Sequence, residues 1–202
     1  MTAPINLFPT DLNTLQRQDK EKLLGQHGRP IWMTGYSGAG KTSIAKQLAS
    51  KLSEDGYLCY ILDGDNIRTG INNNLSFSDE DRTENIRRIA EVSKLFVDCG
   101  IITINCFISP TKVMRELARS IIGVGDFMEV FINAPFDVCE KRDVKGLYSK
   151  ARKGEIKYFT GIDSVFEPPE NPDFDIRTDI MTVEESTTKL YDLILPKVKY
   201  SL

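Results

Sequence analysis

The sequence predicts a doubly wound α/β domain, with a parallel sheet of about five strands and helices on both faces. Three observations predict it. Five short apolar runs, residues 31–34, 58–62, 101–107, 128–132 and the weaker 174–176, are near-continuous rather than alternating, as strands covered on both faces are. Helical stripes lie between them, so strand and helix alternate along the chain. A glycine-rich turn follows the first run and opens a helix.

The 202 residues allow one domain or two small ones, and folding at this size buries roughly 70% of the unfolded chain's surface without staples. With 41% hydrophobic and 27% charged residues the composition is that of a globular chain, not a disordered one. The formal net charge of -3 gives no reason to expect DNA or RNA as a partner. No run approaches the ~20 apolar residues of a membrane span, and residues 1–6 lack the basic and apolar regions of a signal peptide. The four cysteines form no C-x-x-C pair and His27 is the single histidine, so a zinc site is not expected. Cys59 and Cys106 sit inside apolar runs as small reduced core residues, which fits a cytoplasmic compartment.

Residues 1–29 read as an N-terminal arm with one helix, and 30–202 as the main domain. In the arm, Leu12, Leu15, Leu23 and Leu24 give a weak helical stripe closed by Gly25 and Gly28; it packs on the domain or on a second subunit. After the first strand, Ile44, Ala45, Leu48, Ala49 and Leu52 form an inward stripe. Ile86, Ile89, Ala90, Ser93, Phe96 and Val97 form a longer one, and Val113, Met114, Leu117, Ala118 and Ile121 a third. Residues 78–81 start the long helix as a capping box, and 182–185 start the last helix, which Pro196 ends.

Gly35, Tyr36, Ser37, Gly38, Ala39, Gly40, Lys41 and Thr42 match G-x-x-x-x-G-K-[ST] in full, where chance gives on the order of 0.01 matches in such a chain. Glycines let successive N–H groups turn inward onto phosphate oxygens, and the following helix adds its positive end. Lys41 would reach the β- and γ-phosphates, and Thr42 would place its hydroxyl on Mg²⁺. The second strand runs into Asp63, at the carboxyl end where open α/β sheets bind ligands. Asp63 reads as the metal-side carboxylate and general base; Asp65 either joins it or caps the turn that follows.

Arg68 follows closely, and stepping the long helix's stripe back from Ile86 reaches Arg82, with Asn85 near the same face. An inward charge needs a partner, which is either a bound anion or Asp79 or Asp81. Arg87 and Arg88 point elsewhere. Phe77, in the loop before this helix, is either a hydrophobic staple or a platform for a base. Ile108 and Ser109 end the third strand at the same cleft; Ser109 binds substrate or, as the less favoured reading, becomes a phosphoserine. Residues 145–161, basic and with glycines near both ends, read as a mobile lid.

Together these stretches resemble the adenylylsulfate kinase family. The resemblance runs from about Leu23 to Asp173 and is carried by Gly35 to Thr42, Asp63 to Arg68, Asp81 to Arg88, Phe107 to Pro110, Lys145 to Tyr148 and Phe159 to Asp163. It implies a P-loop NTPase fold of nucleoside-kinase type, with a lid. It implies transfer of the ATP γ-phosphoryl group, with Mg²⁺, to the 3′-hydroxyl of adenosine 5′-phosphosulfate. Arg68, Arg82 and Asn85 would hold the phosphosulfate, Phe77 and Phe159 would sandwich its adenine, and Asp65, Ile108, Ser109 and Leu147 would complete the substrate site. Lys145 and Arg152 would lie near the phosphates, Arg152 on the ATP side, and Ser109 matches a position recorded as phosphoserine. The resemblance also implies a homodimer. Thr111 and Lys112 depart from it, standing where the family commonly has an aromatic and then arginine. The regulatory disulfide of some plant members cannot form, since the first cysteine is Cys59, and no room is left for a sulfurylase domain.

The rival readings are another small-molecule P-loop kinase, for gluconate, shikimate or a nucleotide, and a regulatory module that binds nucleotide without turnover. A GTP-dependent switch would carry N-K-x-D, but Glu140 precedes Lys141, Arg142 and Asp143.

Overall fold

The computed structural model describes residues 15–201. Helix α1 (Arg17–Leu24) precedes β1 (Pro30–Thr34), α2 (Lys41–Glu54), β2 (Cys59–Asp63), α3 (Gly64–Thr69) and α4 (Asp79–Asp98). Then come β3 (Ile102–Cys106), α5 (Lys112–Ile122), β4 (Met128–Asn133), α6 (Phe136–Arg142), α7 (Leu147–Arg152), β5 (Phe174–Arg177) and α8 (Val183–Val198). The five strands form one parallel sheet in the order β2-β3-β1-β4-β5.

Because side chains alternate across a strand, β1 feeds two cores. Ile31 and Met33 join Ile44, Leu48, Leu52, Leu190 and Ile194 beneath α2 and α8. Trp32 faces the other way, into the cluster of Ile86, Ile89, Met114 and Ala118 under α4 and α5. The neighbouring strands β1 and β3 therefore send their following helices, α2 and α5, to opposite faces. That is the topological switch point where such sheets open a crevice.

Several expectations are corrected here. Of the leucine stripe in the arm, Leu12 lies outside the described residues, while Leu15 and Leu23 are exposed. α1 docks instead through charge. Arg17 donates to Asp126 at 2.6 and 2.8 Å, and Glu21 accepts from the Gly28 N–H at 3.0 Å and lies 2.9 Å from His27 Nδ1. Pro196 does not end the last helix, which runs on to Val198. It sits in the final turn, where a fixed helical φ is tolerated and only one backbone bond is lost. The capping box at Thr182 and Glu185 is complete, whereas Ser78 caps Asp81 N–H but the Asp81 carboxylate turns to Ser76. On α5 the buried face is Met114, Arg115, Ala118 and Ile122; Val113 faces solvent.

Gln26 ties the arm to the sheet edge. It is fully buried, donating to the Leu58 and Gly100 carbonyls at 2.9 and 2.8 Å and accepting the Leu58 N–H at 2.7 Å. Gln26→Ala leaves these buried groups unpaired and is expected to destabilise the protein by about 2–3 kcal/mol in urea unfolding. A change under about 0.5 kcal/mol would show the anchor to be idle. Among the described residues no helix is long and apolar enough to cross a membrane.

Candidate active site

A cavity of about 600 Å³ opens over the carboxyl ends of β1, β2 and β3. Its floor is the turn into α2. Gly35 (φ +148°) passes so close to β4 that a Cβ there would come 2.5 Å from the Ile132 carbonyl oxygen. Gly40 (φ +106°) is the N-cap of α2 and offers no capping side chain, so the first N–H groups of the helix remain available to an anion. Ser37, Gly38, Gly40, Lys41 and Thr42 line the cavity; Gly35, Tyr36 and Ala39 support it from behind. The Tyr36 ring packs on Phe136 and Phe166, and the buried Ala39 accepts the Thr178 hydroxyl at 2.7 Å.

Lys41 Nζ donates to the Gly35 and Tyr36 carbonyls, both at 2.8 Å, and burial pulls its ammonium down to about 8. The Thr42 hydroxyl donates to Asp63 Oδ2 at 2.8 Å. Asp63 Oδ1 accepts the Asp65 N–H at 3.1 Å, so Asp63, not Asp65, caps the short α3. Asp65 instead pairs across the cavity mouth with Lys145.

The far end is cationic and aromatic. Arg68 donates to the Ser76 carbonyl at 2.7 Å and lies 4.3 Å over the Phe77 ring. Arg82 donates to the Phe77 carbonyl at 2.9 Å, the Thr160 hydroxyl at 2.8 Å and the Tyr158 carbonyl. Among the described residues neither arginine has a carboxylate within 4.0 Å; Asp81, one expected rival partner of Arg82, is taken by Ser76. Burial, above all, lowers both guanidinium pKa values, and for Arg68 the nearby Arg82 charge adds to it. Arg87 and Arg88 are paired with Glu84 outside the cavity. Phe77 is 55% exposed, Phe159 is buried against Tyr148, and Asn85 accepts from Asn72 at 2.9 Å.

Ile108 and Ser109 close the third side. The Ser109 hydroxyl is buried and accepts the Trp32 indole N–H at 3.0 Å. Of the basic segment 145–161, Lys145, Leu147, Tyr148 and 156–160 line the cavity. Tyr148, Ala151, Phe159 and Thr160 anchor that segment in the protein. Arg152 does not reach the cavity: its guanidinium holds Glu140 at 2.7 Å. Thr111 caps α5 and Lys112 lies 3.7 Å from Glu170, so neither departure from the family pattern touches the cavity wall. Thr160 and Tyr158, which bind Arg82, were not singled out from the sequence; their place inside the basic, glycine-flanked segment was the available signal.

Residues 27–177 match the adenylylsulphate kinase family. The chain is 59% identical over 193 residues to the adenylyl-sulfate kinase of Bacteroides fragilis (strain YCH46), covering 96% of each, and 48% identical over 201 residues to that of Prochlorococcus marinus, covering 98% of this chain and 100% of the other. Among solved structures it is similar to the APS kinase of Mycobacterium tuberculosis in complex with AMPPNP and APS, with a TM-score of 0.80 and 46% identity over 84% of this chain and 98% of that one. With the family pattern spanning the sheet, the phosphate-binding turn and both arginines, the chain belongs to the adenylylsulfate kinase family.

Proposed function

We propose that this protein transfers the γ-phosphoryl group of ATP to the 3′-hydroxyl of adenosine 5′-phosphosulfate, giving 3′-phosphoadenylyl sulfate and ADP. One observation carries the reading: a single cavity joins a phosphate cradle to two desolvated arginines that have no carboxylate partner among the described residues and flank an exposed aromatic ring. A triphosphate suits the first end and an anionic nucleotide the second.

The loop N–H groups and Lys41 hold the β- and γ-phosphates, Lys41 exchanging its carbonyl partners for phosphate oxygens. Asp63 orients the acceptor hydroxyl or takes its proton as the new P–O bond forms and the β–γ bridge breaks. Arg68, Arg82 and Asn85 grip the phosphosulfate. Phe77, backed by Arg68, and Phe159, backed by Tyr148, offer ring faces for the adenine. Direct in-line transfer needs no phosphoserine at Ser109. The donor set fits magnesium, since Thr42 and Asp63 present hard oxygens 2.8 Å apart beside the phosphate cradle. When bound, the ion neutralises charge on the transferred group. Lys145 reaches the phosphates by leaving Asp65, and Arg152 by leaving Glu140. The assembly we read is a homodimer, checked by sedimentation, in a reducing cytoplasm that suits four free cysteines.

Incubation with ATP, Mg²⁺ and adenylyl sulfate, followed by nucleotide chromatography, is expected to yield ADP and 3′-phosphoadenylyl sulfate in equal amounts. Turnover on gluconate, shikimate or a nucleoside instead would overturn the reading. Arg82→Ala should raise the KM for adenylyl sulfate about tenfold or more while kcat changes less than about threefold, because a lost charged contact made equally in ground and transition states moves only KM. A large fall in kcat at constant KM would contradict that role.

A further inference from the structure

We propose that Arg115, paired with Glu129, is a positioning residue for the reaction: it holds Ser109 in a left-handed backbone conformation so that residues 108–110 present a fixed wall to adenylyl sulfate. Ser109 has φ +45°, a conformation that non-glycine residues adopt only when their surroundings over-determine it. The surroundings do so. Arg115 Nη1 donates to the Ser109 carbonyl at 3.0 Å, the Trp32 indole holds its hydroxyl at 3.0 Å, and the Thr34 hydroxyl donates to the Ile108 carbonyl at 2.5 Å. Arg115 itself touches no part of the cavity and acts from behind the turn.

Stability alone does not account for this arginine. It occupies the core face of α5, where the helical pattern favours an apolar residue, and it is 4% exposed against a Glu129 that is 6% exposed. Their Nε–Oε1 separation is 2.8 Å, an ion pair without hydrogen-bond alignment, and Arg119 reaches the other oxygen at 3.3 Å. Such a buried pair is commonly no more stable than apolar side chains of the same volume. What an apolar residue could not supply is the donor to Ser109.

The inference rests on the reading of adenylyl sulfate as acceptor, and its test separates the two. The double variant Arg115→Met with Glu129→Gln removes both buried charges together, so a role confined to neutralising Glu129 predicts normal kinetics. Positioning predicts a folded protein whose KM for adenylyl sulfate rises about tenfold while that for ATP stays within about twofold. Trp32 is the single tryptophan and bonds Ser109 directly, so its fluorescence emission should shift in the same variant, a readout independent of any substrate. An adenylyl sulfate KM within about twofold of the parent, equal changes for both nucleotides, or unchanged Trp32 emission would each overturn the proposal. Absence of turnover in the parent would instead sink the acceptor reading and leave the Trp32 shift to be scored. If the double variant fails to fold, Arg115→Lys carries the same test, because a lysine keeps the charge beside Glu129 but its single ammonium cannot span both partners.

Discussion

Replacing Lys41 with alanine is expected to lower kcat at least about 100-fold, read by ADP release under saturating substrates. The magnitude follows from where the ammonium sits. It lies at the base of α2 against two loop carbonyls, sheltered from water, and a contact made to charge developing in such a site is worth roughly 3–4 kcal/mol of barrier. The fold should not suffer, since α2 is held by Ile44, Ala45, Leu48 and Leu52 and the lysine contributes no core packing. Turnover within about tenfold of the parent would mean that the loop N–H groups carry the transferred phosphate alone.

Asp63→Ala should lower kcat by a similar factor of at least about 100, and Asp63→Asn separates chemistry from architecture. The carboxylate has two structural duties, accepting the Thr42 hydroxyl and capping α3 at the Asp65 N–H. Asparagine keeps one oxygen, which can cap α3 at the Asp65 N–H as well as aspartate does, and its amide NH2 can donate to the Thr42 hydroxyl oxygen in place of the bond that Thr42 donates to Oδ2, so the thermal midpoint should barely move. Charge and basicity are lost, and with them the proton acceptor and the metal-side ligand. An asparagine variant as active as the parent would remove Asp63 from the chemistry; an alanine variant that is merely unstable would not.

The two ends of the cavity were legible in the sequence to different degrees. At the glycine-rich end Ser37, Gly38, Gly40, Lys41 and Thr42 share one wall of the cavity, a placement legible beforehand because Gly35 to Thr42 are consecutive and their geometry is local: one turn, one helix start, one lysine. Asp63 followed from its place at a strand's end. The acceptor end was legible only as candidates. Arg82 had carboxylates within one helical turn as competing partners, and only the structure shows it turned to Phe77, Tyr158 and Thr160. The Phe77 ring reads from the sequence as a staple or a platform, and its exposure on the cavity wall depends on the fold.

Elements with a long apolar stripe were read close to their bounds, while α3, α6 and α7, of 6, 7 and 6 residues, were missed because so short a helix shows no periodicity. Arg115 illustrates the harder failure. On a helix wheel a charge beside Met114 marks the solvent face. Its burial depends on Glu129 arriving from β4, which no local pattern encodes.

By itself the sequence determined the alternation of strand and helix, the phosphate-binding turn and the acidic strand end, all consequences of neighbours along the chain. The sheet order, the meeting of β1 and β3 at the crevice, the turning of Arg68 and Arg82 to carbonyl and hydroxyl oxygens and the clamp behind Ser109 were decided only by tertiary structure. The physical reason is range. Backbone conformation and amphipathic periodicity act within a few residues, whereas desolvation and charge pairing depend on whatever the fold brings close, here a Trp32 N–H and a Ser109 hydroxyl 77 residues apart.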